Sequence, residues 1–400
     1  MSVRKRKICV VVTARPSYSR IKSALRAIQR HPELELQLVV AASALLDRYG
    51  SAADYLAQDG FRIDARVYMV VEGENPVTSA KSTGIGLMEL ATVFDNFRPD
   101  AVVTVADRYE TLATAVAASY MNIPVVHVQG GEVTGSIDEK VRHAVTKLAN
   151  LHLVSTPKAA ERVIRMGEDP AAVHVCGCPS IDLAAEVLAN PELDFDPFER
   201  YLGVGSQFDL EEYVVVLQHP VTTEYDQTYR HITETLHAVH AAGVPALWFW
   251  PNVDAGSDGT SKGIRVFREQ ERPELMHFFK GMAPADFLRL LCNSRGIIGN
   301  SSVGIRECSF LGVPAVNIGT RQLGRERGAN VVDAAYDRSA IQAAMTSHLG
   351  NGRVAQDTLY GNGRAGERIA ALLSTEPLTI EKRLTYDGLP AAGAGVHGSA

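Results

Sequence analysis

Short runs of consecutive apolar, largely β-branched residues recur along the chain. Each is followed by a stretch in which apolar positions return every three or four residues. Runs of the first kind predict strands buried on both faces, and the stretches between them predict amphipathic helices. In the first half the strand candidates are 8–13, 36–41, 63–70, 101–105, 125–129, 151–154 and 173–176. Over residues 85–97, Leu87, Leu90, Ala91 and Phe94 keep helical spacing, and Pro99 ends the run. The stretch 189–207 is richer in Pro, Gly and charge and reads as an inter-domain connection. A second strand–helix series follows at 213–217, 246–250, 276–279, 296–298 and 315–318. The last helical pattern covers 363–373, and the small, polar tail from about 390 reads as disordered. Strands and helices alternating in this way predict an α/β protein with parallel sheets covered on both faces.

Composition narrows the picture. A chain of 400 residues fits two domains, and 46% apolar residues suffice for two cores. With 22% charged residues and a net charge of −6, a soluble cytoplasmic protein is expected. Basic residues are scattered apart from residues 4–7, so no stripe for nucleic acid emerges. No apolar run reaches the roughly 18 residues of a membrane span. Lys7 leads straight into the first strand, which is not the layout of a signal peptide. Five cysteines, an odd number, argue against a disulfide framework. Cys176 and Cys178 lie near His174, but no second ligand pair follows, so HVCGCP reads as a strand end and a tight turn. GxGxxG occurs only at 361–366 and 393–398, where no strand candidate precedes it, and GxxxxGK[ST] does not occur, which weighs against NAD and P-loop chemistry.

Ligands of open parallel sheets bind beyond the carboxyl ends of the strands. That rule selects Arg15 after the first strand, Asp107 and Arg108 after 101–105, and Gln129 with Glu132 after 125–129. In the second half it selects His219, then Asn300, Ser301 and Ser302. In GNSSVGIREC a strand end, two hydroxyls and a helix expected near Val303 suit a phosphate, or Ser301 or Ser302 simply caps the helix. Glu307 suits ribose hydroxyls or a solvated helix face. Ser136 and Glu139 have capping-box spacing, and Asp138 and Arg142 have the spacing of an i,i+4 ion pair. In GTRQLGRERG, residues 319–328, three arginines are either solvated or, through Arg321, placed to neutralise a diphosphate.

The stretches TARPSYSR, ADRYETLA, HVQGGEVTGSIDEKVRHAVTKLA, GCPSID, QHPVTTE, PNVDAGS, GNSSVGIRE and GTRQLGRERG carry a family resemblance. Over about residues 7–375 the chain resembles the hydrolysing UDP-N-acetylglucosamine 2-epimerases of sialic acid biosynthesis. The resemblance implies a GT-B-like fold: two Rossmann-like domains, about 1–190 and 205–352, an active-site cleft between them, and a helix near 355–375 packing back onto the first. It implies a UDP-sugar substrate, a homo-oligomer, and no metal or redox cofactor. By the same resemblance Arg15, Asn252 and Phe287 would contact the nucleotide, and Asp107 and Arg108 would line the sugar–diphosphate site. Asp138 would be an acid/base carboxylate, and His219 would sit at the diphosphate and sugar. Ser301 and Ser302 would hold phosphates, Glu307 the ribose and Arg321 the diphosphate.

Two positions depart from the family pattern. Gln129 stands where the family usually has Glu, and an amide takes no proton at physiological pH. Asp107, Glu132 and Asp138 are then the candidates for the base, or the substrate differs. Ala106 stands where the family prefers Gly, which reads as a packing change.

Overall fold

The computed structural model describes residues 4–46, 52–73, 75–134, 137–251 and 256–385. Seven strands form a first sheet: β1 (Arg6–Val12), β2 (Leu34–Ala41), β3 (Ala65–Val67), β4 (Ala101–Val105), β5 (Val125–Val128), β6 (Leu151–Val154) and β7 (Val173–Val175). Their order is β3-β2-β1-β4-β5-β6-β7, and every described pairing is parallel. The second sheet holds β8 (Val204–Gly205), β9 (Val214–Leu217), β10 (Ala246–Phe249), β11 (Met276–Phe279), β12 (Gly296–Gly299), β13 (Ala315–Ile318) and β14 (Val331–Ala334). Its order is β14-β13-β12-β9-β10-β11-β8, parallel except for the β8–β11 edge pair.

The central strands are buried throughout because both faces are covered. Ile8, Val10 and Val103 enter one core of the first sheet, and Cys9, Val11 and Val102 enter the other. In the second sheet Val215 and Leu247 face one core, Val216 and Trp248 the other. Period-two alternation within an unbroken apolar run is thus what the double coverage requires.

Several boundaries differ from the sequence reading. The 85–97 helix begins earlier, at Pro76, where Asn75 Oδ1 accepts from the Val77 and Thr78 amides in a capping box. Gly84 and Gly86 had interrupted its apolar pattern. The expected 63–70 strand shrinks to three residues. Inside the expected connection 189–207, β8 adds an edge to the second sheet. β14 was missed because its two leading valines, Val331 and Val332, are only half-buried and are followed by the exposed Asp333, so no apolar run marks it. The helix Ala365–Thr375 packs on Lys22–Arg30, and Ile369 and Leu373 join a core of the first sheet. Asp182 accepts from the Ala365 and Gly366 amides at 2.8 and 2.7 Å and so fixes where that helix starts. The tail from 390 lies outside the described residues. Among the described residues no helix is long and apolar enough to cross a membrane.

Candidate active site

Strand order reverses between β1 and β4 in the first sheet and between β9 and β12 in the second. At such switch points the loops leaving adjacent strands diverge and open a crevice. After β1 the chain enters the helix Arg15–Ser19, and after β4 it presents Ala106, Asp107 and Arg108. After β9 come Gln218 and His219, and after β12 come Asn300, Ser301 and Ser302. Gly299 makes the second crevice possible: φ is +133° there, and a Cβ would stand 2.2 Å from Leu217 O.

Among the cavities lined from both halves, two adjoin one another at these loops. The larger, with an empty volume of about 840 Å³, has Arg15, His219, Phe287, Ser301, Glu307 and Arg321 among its lining. The smaller, about 520 Å³, is bounded by Asp107, Arg108, Asp138 and Arg325. Pro16, Arg20, Ser302 and Arg321 belong to both walls. Of the expected site residues, these two spaces therefore gather Arg15, Asp107, Arg108, Asp138, His219, Phe287, Ser301, Ser302, Glu307 and Arg321. Asn252 lies outside the described residues.

In the larger cavity buried polar atoms are left without hydrogen-bond partners among the described residues. Arg15 reaches over Gly281 of the other half, where a Cβ would collide with its Nη1 at 1.9 Å. That Nη1 is buried and has no hydrogen-bond partner among the described residues. Burial pulls the Arg15 guanidinium below its ordinary pKa, against the opposing influence of Tyr55, so an anion beside it would be stabilising. Glu307 Oε2 is likewise buried without a hydrogen-bond partner among the described residues. Phe287 sets its ring edge-on to Phe249, with centroids 4.9 Å apart. Asn300 organises the floor: its Oδ1 accepts from His219 N at 2.7 Å and its Nδ2 donates to His219 O at 2.8 Å. Arg321 Nη1 and Gln322 Nε2 donate to Asn300 O at 3.3 and 2.8 Å.

Of the two serines, Ser301 takes the capping role and Ser302 does not cap. Ser301 Oγ accepts from Val303 N at 3.4 Å, a cap. Ser302 Oγ instead accepts from Arg20 Nη2 at 3.1 Å and Arg306 Nη2 at 2.9 Å. The helix expected near Val303 is split into a 3₁₀ turn, Ser302–Gly304, and a short helix, Glu307–Leu311.

In the smaller cavity the charges are largely engaged with one another. Asp107 pairs with Arg142 of the helix Ile137–Leu148 and has Arg20 Nη1 at 3.9 Å. Arg142 Nη1 donates to Glu132 O at 2.8 Å. Asp138 stands in the first turn of the same helix. Glu139 Oε2 accepts from Thr134 N at 2.6 Å, while Ser136, its expected capping partner, lies outside the described residues. Burial and then the charges of Arg306 and Arg325 pull Arg20 down to about 9. A cluster of cations this close to one another favours an anionic ligand.

Ala106 shows that the second departure is more than packing. Its φ is +66°, a left-handed conformation in which Gly is strain-free and Ala is not. His127, fully buried under it, donates from Nε2 to Ala106 O at 2.8 Å, with Nδ1 3.2 Å from Thr146 Oγ1. Burial lowers the His127 pKa to about 4, the state of a neutral ring that holds this turn.

Gln129 and Glu132 border neither cavity. Gln129, at φ +66°, is 1% exposed and donates from Nε2 to Cys178 Sγ at 2.8 Å. Its Oε1 has no hydrogen-bond partner among the described residues. Glu132 accepts from Ser155 Oγ at 2.9 Å and lies 3.4 Å from Arg306 Nη1 and 3.3 Å from Arg325 Nη2. Burial alone would raise its pKa, but Arg306, Arg325 and Arg20 outweigh burial and hold the carboxyl below its usual range. A carboxylate so held is a poor proton acceptor. Arg20, Arg306 and Arg325 escaped the sequence reading. Arg20 lies on a helical turn past its strand end, and Arg325 was hidden in a run that also suited solvated charge.

The family profile described as UDP-N-acetylglucosamine 2-epimerase matches residues 26–374. The chain belongs to the UDP-N-acetylglucosamine 2-epimerase family. Among curated relatives of this epimerase family, the UDP-N,N'-diacetylbacillosamine 2-epimerase (hydrolyzing) of Legionella pneumophila is 32% identical, covering 93% of this chain and 97% of its own. Polysialic acid biosynthesis protein P7 of Escherichia coli is 33% identical, covering 84% of both chains. Among solved structures, the UDP-GlcNAc 2-epimerase of Methanocaldococcus jannaschii in complex with UDP-GlcNAc and UDP superposes with a TM-score of 0.76 at 17% identity. It covers 92% of this chain and 99% of its own, a likeness of fold, and the fold is GT-B-like.

Proposed function

We propose that this epimerase-family protein hydrolyses as it epimerises, converting UDP-GlcNAc to free ManNAc and UDP. The observation that carries the reading is the shared wall of Arg20, Ser302 and Arg321, with two carboxylates on one side and, on the other, Arg15, whose buried Nη1 has no hydrogen-bond partner among the described residues. UDP fits the larger space: Phe287 beside the base, Glu307 toward the ribose, Arg15, His219, Ser301, Ser302 and Arg321 around the diphosphate. The hexosamine fits the smaller space, between Asp107, Arg108 and Asp138.

The chemistry follows from that placement. A carboxylate takes the C2 proton while the C1–O bond breaks and its electron pair leaves on the UDP oxygen. A C1=C2 double bond, a 2-acetamidoglucal, results. Water then adds at C1, and C2 is protonated on the opposite face. Because the C2 proton is weakly acidic, departure of the diphosphate must drive the step, and the guanidinium groups of the shared wall stabilise that developing charge. With Gln129 unable to accept a proton, and Glu132 and Asp107 each held against buried arginines, Asp138 is the carboxylate assigned the C2 proton, and Asp107 orients the site.

The test is incubation in D₂O with UDP-GlcNAc, and separately with GDP-GlcNAc, read by NMR. Deuterium at C2 of free ManNAc, with UDP released, is expected. UDP-ManNAc as the product would overturn the hydrolysing reading, and UDP binding without any product would leave a nucleotide-sugar-binding protein. A second substrate, a UDP-linked diacetamido-6-deoxy sugar, is favoured by the 32% identity to the Legionella enzyme of that name. It is tested in the same assay by comparing kcat/KM for the two sugars.

A further inference from the structure

Glu132 is 3% exposed and stands where the two halves meet. Its first-half partner is Ser155, and its second-half partners are Arg306 and Arg325. Both arginines continue into the site. Arg306 Nη2 donates to Ser302 Oγ, the hydroxyl that Arg20 also reaches. Arg325 Nε donates to Val133 O at 3.2 Å and sits on the 319–328 loop that carries Arg321 to both cavities. The same loop has a second foothold on the first half, where Glu326 Oε2 accepts from Thr156 Oγ1 at 2.8 Å and lies 3.5 Å from Arg162 Nη1.

We propose that Glu132 is a positioning residue: an anionic hub of the first half that holds Arg306 and Arg325 of the second, and so sets Ser302 Oγ and Arg321 around the leaving diphosphate. The inference rests on the reading of the cleft as a UDP-sugar site. Its physical basis is charge balance in a dry joint. Arg20, Arg306 and Arg325 bear on one another electrostatically, and Glu132 is close enough to favour the charged form of Arg20 and Arg306. Without that carboxylate the guanidinium groups repel one another in low dielectric. They separate, and Ser302 and the loop move with them.

The test is Glu132→Gln, which keeps the shape and removes the charge. UDP affinity by calorimetry should fall about 30-fold, as expected on removing one partner from a buried charge cluster, with a loss of kcat besides. Glu132→Asp, which restores the charge on a shorter arm, should recover part of both. A fall in kcat with UDP affinity within about threefold of wild type would make Glu132 the proton acceptor and overturn the proposal. No change in either, or a lower melting temperature with both constants intact, would overturn it too. Should Glu132→Gln fail to fold, Arg325→Gln leaves Glu132 paired with Arg306 and must still weaken UDP binding; unchanged affinity there overturns the hub. A wild type that binds no UDP refutes the reading of the cleft itself, an outcome distinct from any of these.

Discussion

The two cavities share a wall, yet they handle charge in opposite ways. Around the larger one, the buried polar atoms Arg15 Nη1 and Glu307 Oε2 lack hydrogen-bond partners among the described residues, although Arg306 Nε lies 3.9 Å from Glu307 Oε2. Around the smaller one, Asp107 is clasped by Arg142, and Arg142 in turn holds the Glu132 carbonyl. A buried group without a hydrogen-bond partner gains most from a ligand that satisfies it, so on the proposed reading the larger space supplies affinity. A carboxylate clasped by an arginine is fixed in direction but is a poor proton acceptor, so on the proposed reading Asp107 orients the smaller space and Asp138 carries the proton transfer.

This contrast breaks most visibly at the carboxylates. Asp138→Asn should lower turnover about 10³-fold, the scale of a lost general acid or base, while UDP affinity stays within about threefold. Single-turnover kinetics and calorimetry on the same variant check it, and a matching loss of UDP affinity would merge the two spaces into one functional unit. Asp107→Asn is a less clean probe, because it also frees the buried Arg142.

Arg15→Met tests the other side. Removing a charged donor to a phosphate should weaken UDP binding by about 2 kcal/mol, roughly 30-fold. Base-side variants should leave that number alone. If Arg15→Met lowers only kcat, the guanidinium acts on the reaction and not on the bound nucleotide.

Gln129→Glu sharpens the comparison at a third place, behind both walls. A carboxylate there would replace an amide that donates to Cys178, in a position 1% exposed. Turnover should not rise, and stability to urea should fall by about 1–3 kcal/mol, the cost of a buried polar group that has lost its partner. A rise in turnover would instead place position 129 among the groups that reach the sugar.

The strand ends were legible because double burial writes unbroken apolar runs, and the residue that follows such a run must point out of the sheet at its carboxyl end. Asp107, His219 and Ser302 are found by that rule, and all three line the cleft. Edge elements were not legible: β8 and β14 are short, partly exposed and carry no apolar run. The meaning of Ala106 was not legible either, since a positive φ leaves no mark on an alanine. Glu132 misled for the same kind of reason. It follows a strand end by a few residues, but the chain turns it into the joint between the halves.

Local patterning and motif wording, both properties of nearest neighbours along the chain, determined the family, the parallel sheets and the crevice that opens at each strand reversal. Only the tertiary structure decided which ionisable groups spend their charge on one another and which face a ligand. Arg20, Arg306, Arg325 and Glu132 come together from positions up to 305 residues apart, and burial rather than sequence spacing sets the strength of their coupling.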